Sequence, residues 1–318
     1  MSEPVRWGIL GTANIARKSL LPAVAAAGGT PHCVGSRSVE RAEAWAAEHG
    51  VARGTDYDGV LADPDVEVVY VALPNDQHVE WARRAVDAGK AVLCEKPFGL
   101  TATEVATLTD GLAPDAPVWE SFVFPFHPQT ELIASLLPGL GEPLQLDSQF
   151  RFTVASETNI RLNPVGGGAL YDVGCYPIRL ARLLLGAEPV AAHGSAVFRG
   201  PGVDASVTAV LDFPADRRLV LSASLQRPFS ATTRIVGTEA ELRVSHPFHP
   251  KPADVVELIR DGEVVQTWTP DPRTAFTFGV THVQDAVRGL EPPRHTAGAD
   301  ARAQAEALDL VRAAIGAA

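Results

Sequence analysis

The chain is short of positive charge. Its 27 lysines and arginines face 38 aspartates and glutamates, a net charge of -11, and a protein with no surplus of cations cannot neutralise a phosphate backbone, so a nucleic-acid partner is not expected. Cysteine is scarce as well. Cys33, Cys94 and Cys175 are odd in number, far apart and set in apolar sequence, which excludes a disulfide framework and points to reduced thiols in a cytoplasmic protein. Long apolar runs are missing: no stretch reaches the roughly 18 residues of a membrane span. The opening MSEPVRWGILG lacks the basic segment followed by a long apolar one that marks export, so no membrane partner is expected. Internal repeats and disordered linkers are absent too. What remains is an ordinary globular chain whose 318 residues suit two domains.

The first half alternates strand and helix patterns. VRWGILG, an apolar run ending in glycine, precedes the alanine-rich IARKSLLPAVAAAGG; PHCVGSR precedes VERAEAWAAEHG, and VEVVYVALP precedes HVEWARRAVDAGK. AVLCE is a further strand, Thr101 and Glu104 have capping-box spacing for a helix through about Leu112, and PVWESFVF is one strand more. Strands separated by helices pair in parallel with right-handed crossovers. Residues 1–123 therefore read as a doubly wound α/β domain. From about Gln145 the texture changes to longer alternating segments such as VTAVLDF, RLVLSASL and ATTRIVG, the pattern of an antiparallel sheet. Helical pieces at 127–137, at roughly 168–186 and in the tail DARAQAEALDLVRAAIG make residues 124–318 an α+β domain.

At the first strand-to-helix turn, Gly11, Ala13 and Ala16 follow G-x-G-x-x-A spacing with the second glycine replaced by alanine. Amides at such a turn can receive a pyrophosphate. After the second strand, where an NAD enzyme carries an acid for the ribose hydroxyls, stand Ser36, Arg37 and Ser38, then Arg41. A guanidinium with hydroxyls suits a phosphorylated ribose, so NADP(H) is expected over NAD(H). His246 and His249 in SHPFHPKP have no third ligand at a recognisable spacing, and no metal is expected.

WGILGTANIA, ALPNDQH, CEKPFG and GGGALYDVGCYPI, in this order and spacing, closely resemble the Gfo/Idh/MocA family of glucose-fructose oxidoreductase and inositol dehydrogenase relatives. GTANIA, FHPQ, the IRL before the glycines and the tyrosine of DVGCY look most like dihydrodiol dehydrogenases and deoxysugar ketoreductases. The resemblance implies a nicotinamide-binding Rossmann domain followed by a domain with a large open, mostly antiparallel sheet, the active site lying at the carboxyl ends of the parallel strands. It implies a cofactor site made by Gly11, Thr12, Ala13, Asn14 and Ile15, by Ser36, Arg37 and Arg41, by Leu73, Pro74, Asn75 and His78, and by Glu95 and Lys96. On the substrate side it implies Phe124, His127, Arg161, Asp172 and Tyr176. Lys96, Asp172 and Tyr176 are the implied catalytic set, with the tyrosine where many relatives hold a histidine. In the relatives the peptide after the lysine is held cis, and the same is expected of Lys96–Pro97. A tyrosine near pKa 10 moves protons poorly at neutral pH unless a cation such as Lys96 lowers it.

These readings converge on an NADP-dependent oxidoreductase for a secondary alcohol or ketone of a sugar or cyclic polyol, with ketosugar reduction preferred. Oxidation of a trans-dihydrodiol is the alternative within enzymes, and a non-catalytic cofactor-binding regulator is the alternative outside them. A face of the open sheet needs a cover, so a homodimer or homotetramer through the C-terminal sheet is expected.

Overall fold

The computed structural model describes residues 3–200 and 202–317. The chain divides into two compact units, 1–123 with 276–302 and 124–275 with 303–318.

In the first unit the strands are β1 (Arg6–Leu10), β2 (Thr30–Gly35), β3 (Arg53–Thr55), β4 (Val68–Val71), β5 (Ala91–Cys94) and β6 (Val118–Glu120). Between them lie α1 (Leu21–Ala26), α2 (Val39–His49), α3 (Tyr57–Leu61), α4 (His78–Asp87) and α5 (Ala102–Thr109). The sheet order is β3-β2-β1-β4-β5-β6 with every pair parallel. β4 and β5 are buried along their whole length, which is why they read as unbroken apolar runs rather than alternating ones. The order reverses beside β1, and that switch point is where open α/β sheets bind ligands. The cap at α5 forms with its return bond one residue early: Thr101 Oγ1 accepts the Glu104 amide at 3.1 Å, and Glu104 Oε2 accepts the Leu100 amide at 2.7 Å.

The pair β3 and α3 was not foreseen. RGT is three residues long with no apolar periodicity, and it is held by partners rather than by its own composition. Gly54 lets α2 approach closely, since a Cβ there would lie 2.2 Å from Glu43 N and 2.4 Å from the Ala42 carbonyl carbon. Backbone atoms of a packed helix cannot yield as a side-chain tip would. Gly54→Ala is expected to lower the unfolding free energy in urea by about 2–3 kcal/mol; a loss below roughly 0.5 kcal/mol, the ordinary surface value, would show that α2 can shift.

The second unit holds α6 (Pro128–Leu136), β7 (Gln145–Thr153), α7 (Cys175–Leu185), β8 (Ala191–Phe198), β9 (Asp204–Phe213), β10 (Arg217–Ser224), β11 (Gln226–Val236), β12 (Glu241–Ser245), β13 (Val256–Arg260) and β14 (Glu263–Trp268). Its sheet runs β14-β13-β12-β11-β7-β10-β9-β8, antiparallel except for the β7–β10 pair. Alternation along β7 follows the pleat: Leu146, Ser148 and Phe150 are buried, while Gln145, Asp147 and Gln149 are more open. α7 packs against β7 and β10. Helical backbone begins ahead of α7, with a π turn over Leu170–Gly174 running directly into Cys175. Pro177 has no N–H for the carbonyl four residues back and crowds it, and the wider turn ends just before it.

Two helices close the chain, α8 (Ala275–Val287) and α9 (Ala297–Ala314). Residues 276–302 pack with the first unit, although the sequence pattern carried 124–318 as one block. Gln284 accepts a long bond from Trp7 Nε1 at 3.5 Å and donates to the Ala27 carbonyl at 3.0 Å, and Trp119 Nε1 donates to the Arg294 carbonyl at 2.9 Å. Such pairings, more than 170 residues apart in sequence, leave no local signature. Among the described residues no helix is long and apolar enough to cross a membrane.

Candidate active site

At the switch point Gly11 follows β1 with φ +99°, and a Cβ there would meet the Ala72 carbonyl oxygen at 2.5 Å. Only glycine fits, because both the left-handed backbone and the approach of the chain after β4 exclude a side chain. A π turn over Ala16–Leu20 follows the loop and passes into α1. Beside it lies a cleft of about 300 Å³ lined by Gly11, Thr12, Ala13, Ser36, Arg37, Ser38, Arg41, Tyr57, Ala72, Leu73 and Pro74. Eight residues assigned to the cofactor from sequence are thus brought together on one hollow. Asn14 and Ile15 continue the same loop, Asn14 accepting from Arg17 at 3.2 Å, and Asn75 opens a 3₁₀ turn after Pro74.

Two cations on the hollow stand open to an anionic group. Arg37 and Arg41 are exposed, and among the described residues neither guanidinium has a hydrogen bond or ion pair. Ser38 is less available, since its hydroxyl caps α2 by accepting the Arg41 amide at 3.2 Å and donates to Glu40 at 2.7 Å. Tyr57, at the start of α3, is a lining residue that sequence reading missed. Burial raises its phenol, and the charges of Arg37 and Arg41 oppose that rise. Its only signal was the aspartate cap before it, invisible without β3.

Lys96 is half-buried just beyond the C-terminal end of β5, and the Lys96–Pro97 peptide is cis, as expected. Glu95 accepts the Tyr70 hydroxyl, and Glu120, at the end of β6, accepts the Phe98 amide at 2.9 Å. His78 is fully buried, its Nδ1 2.7 Å from the Pro97 carbonyl and its Nε2 2.9 Å from the Leu73 carbonyl. Burial pushes its pKa down, against those bonds. The structure therefore makes His78 a brace between the chain segments after β4 and β5, at the back of the loops it was assigned to.

In the second unit Arg161 Nε donates to Asp172 Oδ2 at 2.8 Å, with the carboxylate side chain 17 % exposed. The arginine also lies 5.5 Å above the Phe152 ring. Tyr176 follows on the same helical run, its ring 5.3 Å from Phe150, 5.3 Å from Phe248, 5.4 Å from His249 and 6.3 Å from Phe124. Phe124 is fully buried behind it. His127, a candidate substrate contact, is fully buried. Its Nδ1 accepts the Gln129 amide at 3.1 Å as the cap of α6, while Nε2 faces the Arg273 carbonyl at 3.2 Å. Burial lowers its pKa, and the neutral ring with its proton on Nε2 satisfies both partners. Its role here is to start a helix.

Asp204, which no sequence pattern singled out, is 5 % exposed at the head of β9 and accepts the Leu170 amide at 2.7 Å. Burial pushes its carboxyl up to about 6. His246 Nδ1 lies 2.6 Å from Asp254 Oδ1, a hydrogen-bonded pair within its own loop. Among the described residues the one group with metal-like clustering is His32, Asp63 and Asp65. Arg53 already bonds the Asp63 carboxylate and Lys90 Nζ its carbonyl at 2.6 Å, so the cluster is an ion-pair network.

Two family models match. Residues 5–114 match an oxidoreductase family with an NAD-binding Rossmann fold, and residues 138–243 match the GFO/IDH/MocA C-terminal domain. The chain is 37 % identical to a D-xylose 1-dehydrogenase (NADP(+)) of Haloferax volcanii over 91 % of this chain and 90 % of that protein. It is 33 % identical to a dTDP-3,4-didehydro-2,6-dideoxy-alpha-D-glucose 3-reductase of Streptomyces violaceoruber over 98 % and 95 %. Among solved structures, the 3-ketoreductase KijD10 of Actinomadura kijaniata in complex with NADP and TDP-benzene superposes with a TM-score of 0.86 at 29 % identity, covering 98 % of each chain.

Proposed function

The chain belongs to the Gfo/Idh/MocA family of oxidoreductases, and from that premise we propose that it transfers a hydride between NADP(H) and a secondary alcohol or ketone of a sugar or cyclic polyol, working chiefly as a ketosugar reductase. The observation that carries this reading is the helical run 170–185, which bears Asp172, held by Arg161, and Tyr176 at the four-residue spacing that shares a helix face.

The exposed arginines after β2 and the amides of the Gly11 loop would hold the phosphates. NADP(H), when bound, supplies or accepts the hydride. The chain's own task is to bind and orient the sugar and to move one proton. In reduction Tyr176 Oη gives its proton to the substrate oxygen as that oxygen gains charge. Lys96 stabilises the charge developing on that oxygen. Asp172, its direction fixed by Arg161, accepts a bond from a neighbouring hydroxyl. The aromatic rings behind Tyr176 exclude water from one side and fix the phenol in direction.

The test is NADPH consumption with free and nucleotide-linked ketosugars, and NADPH formation from NADP+ with cyclic diols. Turnover confined to the diols would move the assignment to dihydrodiol oxidation, and NADPH binding without any turnover would favour a regulator. We also propose that the outward face of β7–β14 pairs with a second copy of the chain. Sedimentation at micromolar concentration should give a dimer or tetramer, and a monomer there excludes it.

A further inference from the structure

The substrate-side residues sit on a turn whose hold comes from outside the motif. Gly167 and Gly168 reverse the chain before the helical run: the Gly168 amide donates to the Arg161 carbonyl at 2.8 Å, and the Gly167 amide to the Asn163 carbonyl at 3.0 Å. Gly168 has φ +114°, and a Cβ on it would lie 2.2 Å from Asp204 Oδ1. That carboxylate is pressed against the turn, with Oδ2 accepting the Leu170 amide at 2.7 Å and the Ala169 amide bonded to it as well. These are N–H groups at the start of a helical run that reaches Leu185, groups with no partner inside the helix. A carboxylate there is favoured by the helix dipole too. Arg312 of α9 is the cation whose charge favours the ionised form, and it lies 5.5 Å above the ring of Tyr171.

A buried carboxylate is costly, and an asparagine or serine could cap a helix without that cost. Asp204 is also far from the turn in sequence, at the head of a neighbouring strand. From this placement we propose that Asp204 is a positioning residue for the reaction: it fixes the glycine turn at Gly168–Leu170 and so sets the direction of Asp172 and, one turn on, of Tyr176. The assignment rests on the proposed reading of those two residues as the substrate-side pair. The Asp172 amide donates to the Gly168 carbonyl at 3.1 Å, so a shift of the turn passes to Asp172 directly.

The test pairs Asp204→Ala with Asp204→Asn in the full chain and reads amide exchange and kinetics together. Alanine removes both acceptors. In Asp204→Ala the Ala169 and Leu170 amides should exchange at least about tenfold faster. Its kcat should fall roughly 10- to 100-fold, the size of effect that a misplaced reacting group produces, while NADPH affinity stays within about twofold because the cofactor loops are untouched. Asparagine keeps one acceptor oxygen, so kcat should recover to within about fivefold of wild type, with exchange at the two amides intermediate. Unchanged protection of both amides in Asp204→Ala overturns the hold, and faster exchange with unchanged kcat overturns the positioning role. Should Asp204→Ala not fold, Asp204→Asn decides: a large loss of kcat with both amides protected as in wild type overturns the assignment. The exchange arm needs no substrate, so a wild-type protein inert toward every sugar would count against the proposed activity alone.

Discussion

Lys96→Met lowers kcat by about 10³-fold while NADPH affinity changes by less than about threefold. Proton transfer by a positioned side chain contributes roughly 10²–10⁴, and removing one preorganised charge opposite a developing oxyanion costs about 10²–10³. Tyr176 is proposed for the first purpose and Lys96 for the second, its ammonium stabilising the oxygen being reduced. Methionine matches the length of the stem and removes only the charge. The site should survive the change: the turn after Pro97 is held by Glu120 through the Phe98 amide and by His78 through the Pro97 carbonyl, and neither contact uses the lysine. Tyr176→Phe should cost a similar factor. Its ring would still fill the space among Phe150, Phe248 and Phe124, so thermal unfolding should move little. Because the two residues are proposed as one proton-transfer unit, the double variant should be hardly slower than the slower single one. Steady-state kinetics and NADPH titration of the three variants decide this. Losses that multiply in full, or a Tyr176→Phe enzyme with near-normal turnover, would rule out the shared role.

The parts of this site that were legible in the sequence are those written in contiguous residues. The Gly11 loop, the Ser36–Arg41 segment and the Glu95–Lys96–Pro97 turn each follow a strand whose apolar run announces it, and in a parallel sheet the strand ends converge at one edge whatever lies between. Residues that reach the site from elsewhere were not legible. Tyr57 lines the cleft because a three-residue strand seats it there, and RGT carries no strand signal of its own. Asp204 bonds a turn 34 residues away, and a lone aspartate before an alternating strand looks like any loop residue. The histidines show what a motif leaves out. His78 and His127 stand in motifs and carry the right chemistry, yet both are fully buried with both ring nitrogens occupied. A sequence displays which side chains could react; only packing shows which of them are already committed to holding backbone. The same limit applies to 276–302, whose place in the first unit is decided by contacts such as Trp7 with Gln284.

Cofactor choice should be the second large effect, and Arg37 is proposed to carry most of it. Arg37→Ala should weaken NADPH binding by about 10- to 100-fold and leave NADH affinity within about twofold. A charge-assisted hydrogen bond to a phosphate is worth about 1.5–3 kcal/mol, and each 1.4 kcal/mol is tenfold; NADH lacks the phosphate and has nothing to lose. Two features keep the loss from being total. Arg41 lines the same cleft and should carry part of the charge, so Arg37→Ala with Arg41→Ala should erase the preference for NADPH altogether. The Ser36 amide donates to the Thr55 carbonyl at 3.0 Å, which keeps the end of β2 in place when the guanidinium is gone. Salt sharpens the reading, because contacts between exposed cations and a phosphate are screened over about 10 Å at 0.1 M. Wild-type affinity for NADPH should therefore fall as salt rises, and the double variant should lose most of that dependence. Glu40 provides the opposing control: its charge beside the cleft disfavours a phosphate, so Glu40→Gln should tighten NADPH binding slightly and NADH binding not at all. Fluorescence titration of both cofactors against each variant measures all of this. An Arg37→Ala protein that keeps the wild-type ratio of affinities would place phosphate recognition elsewhere in the chain.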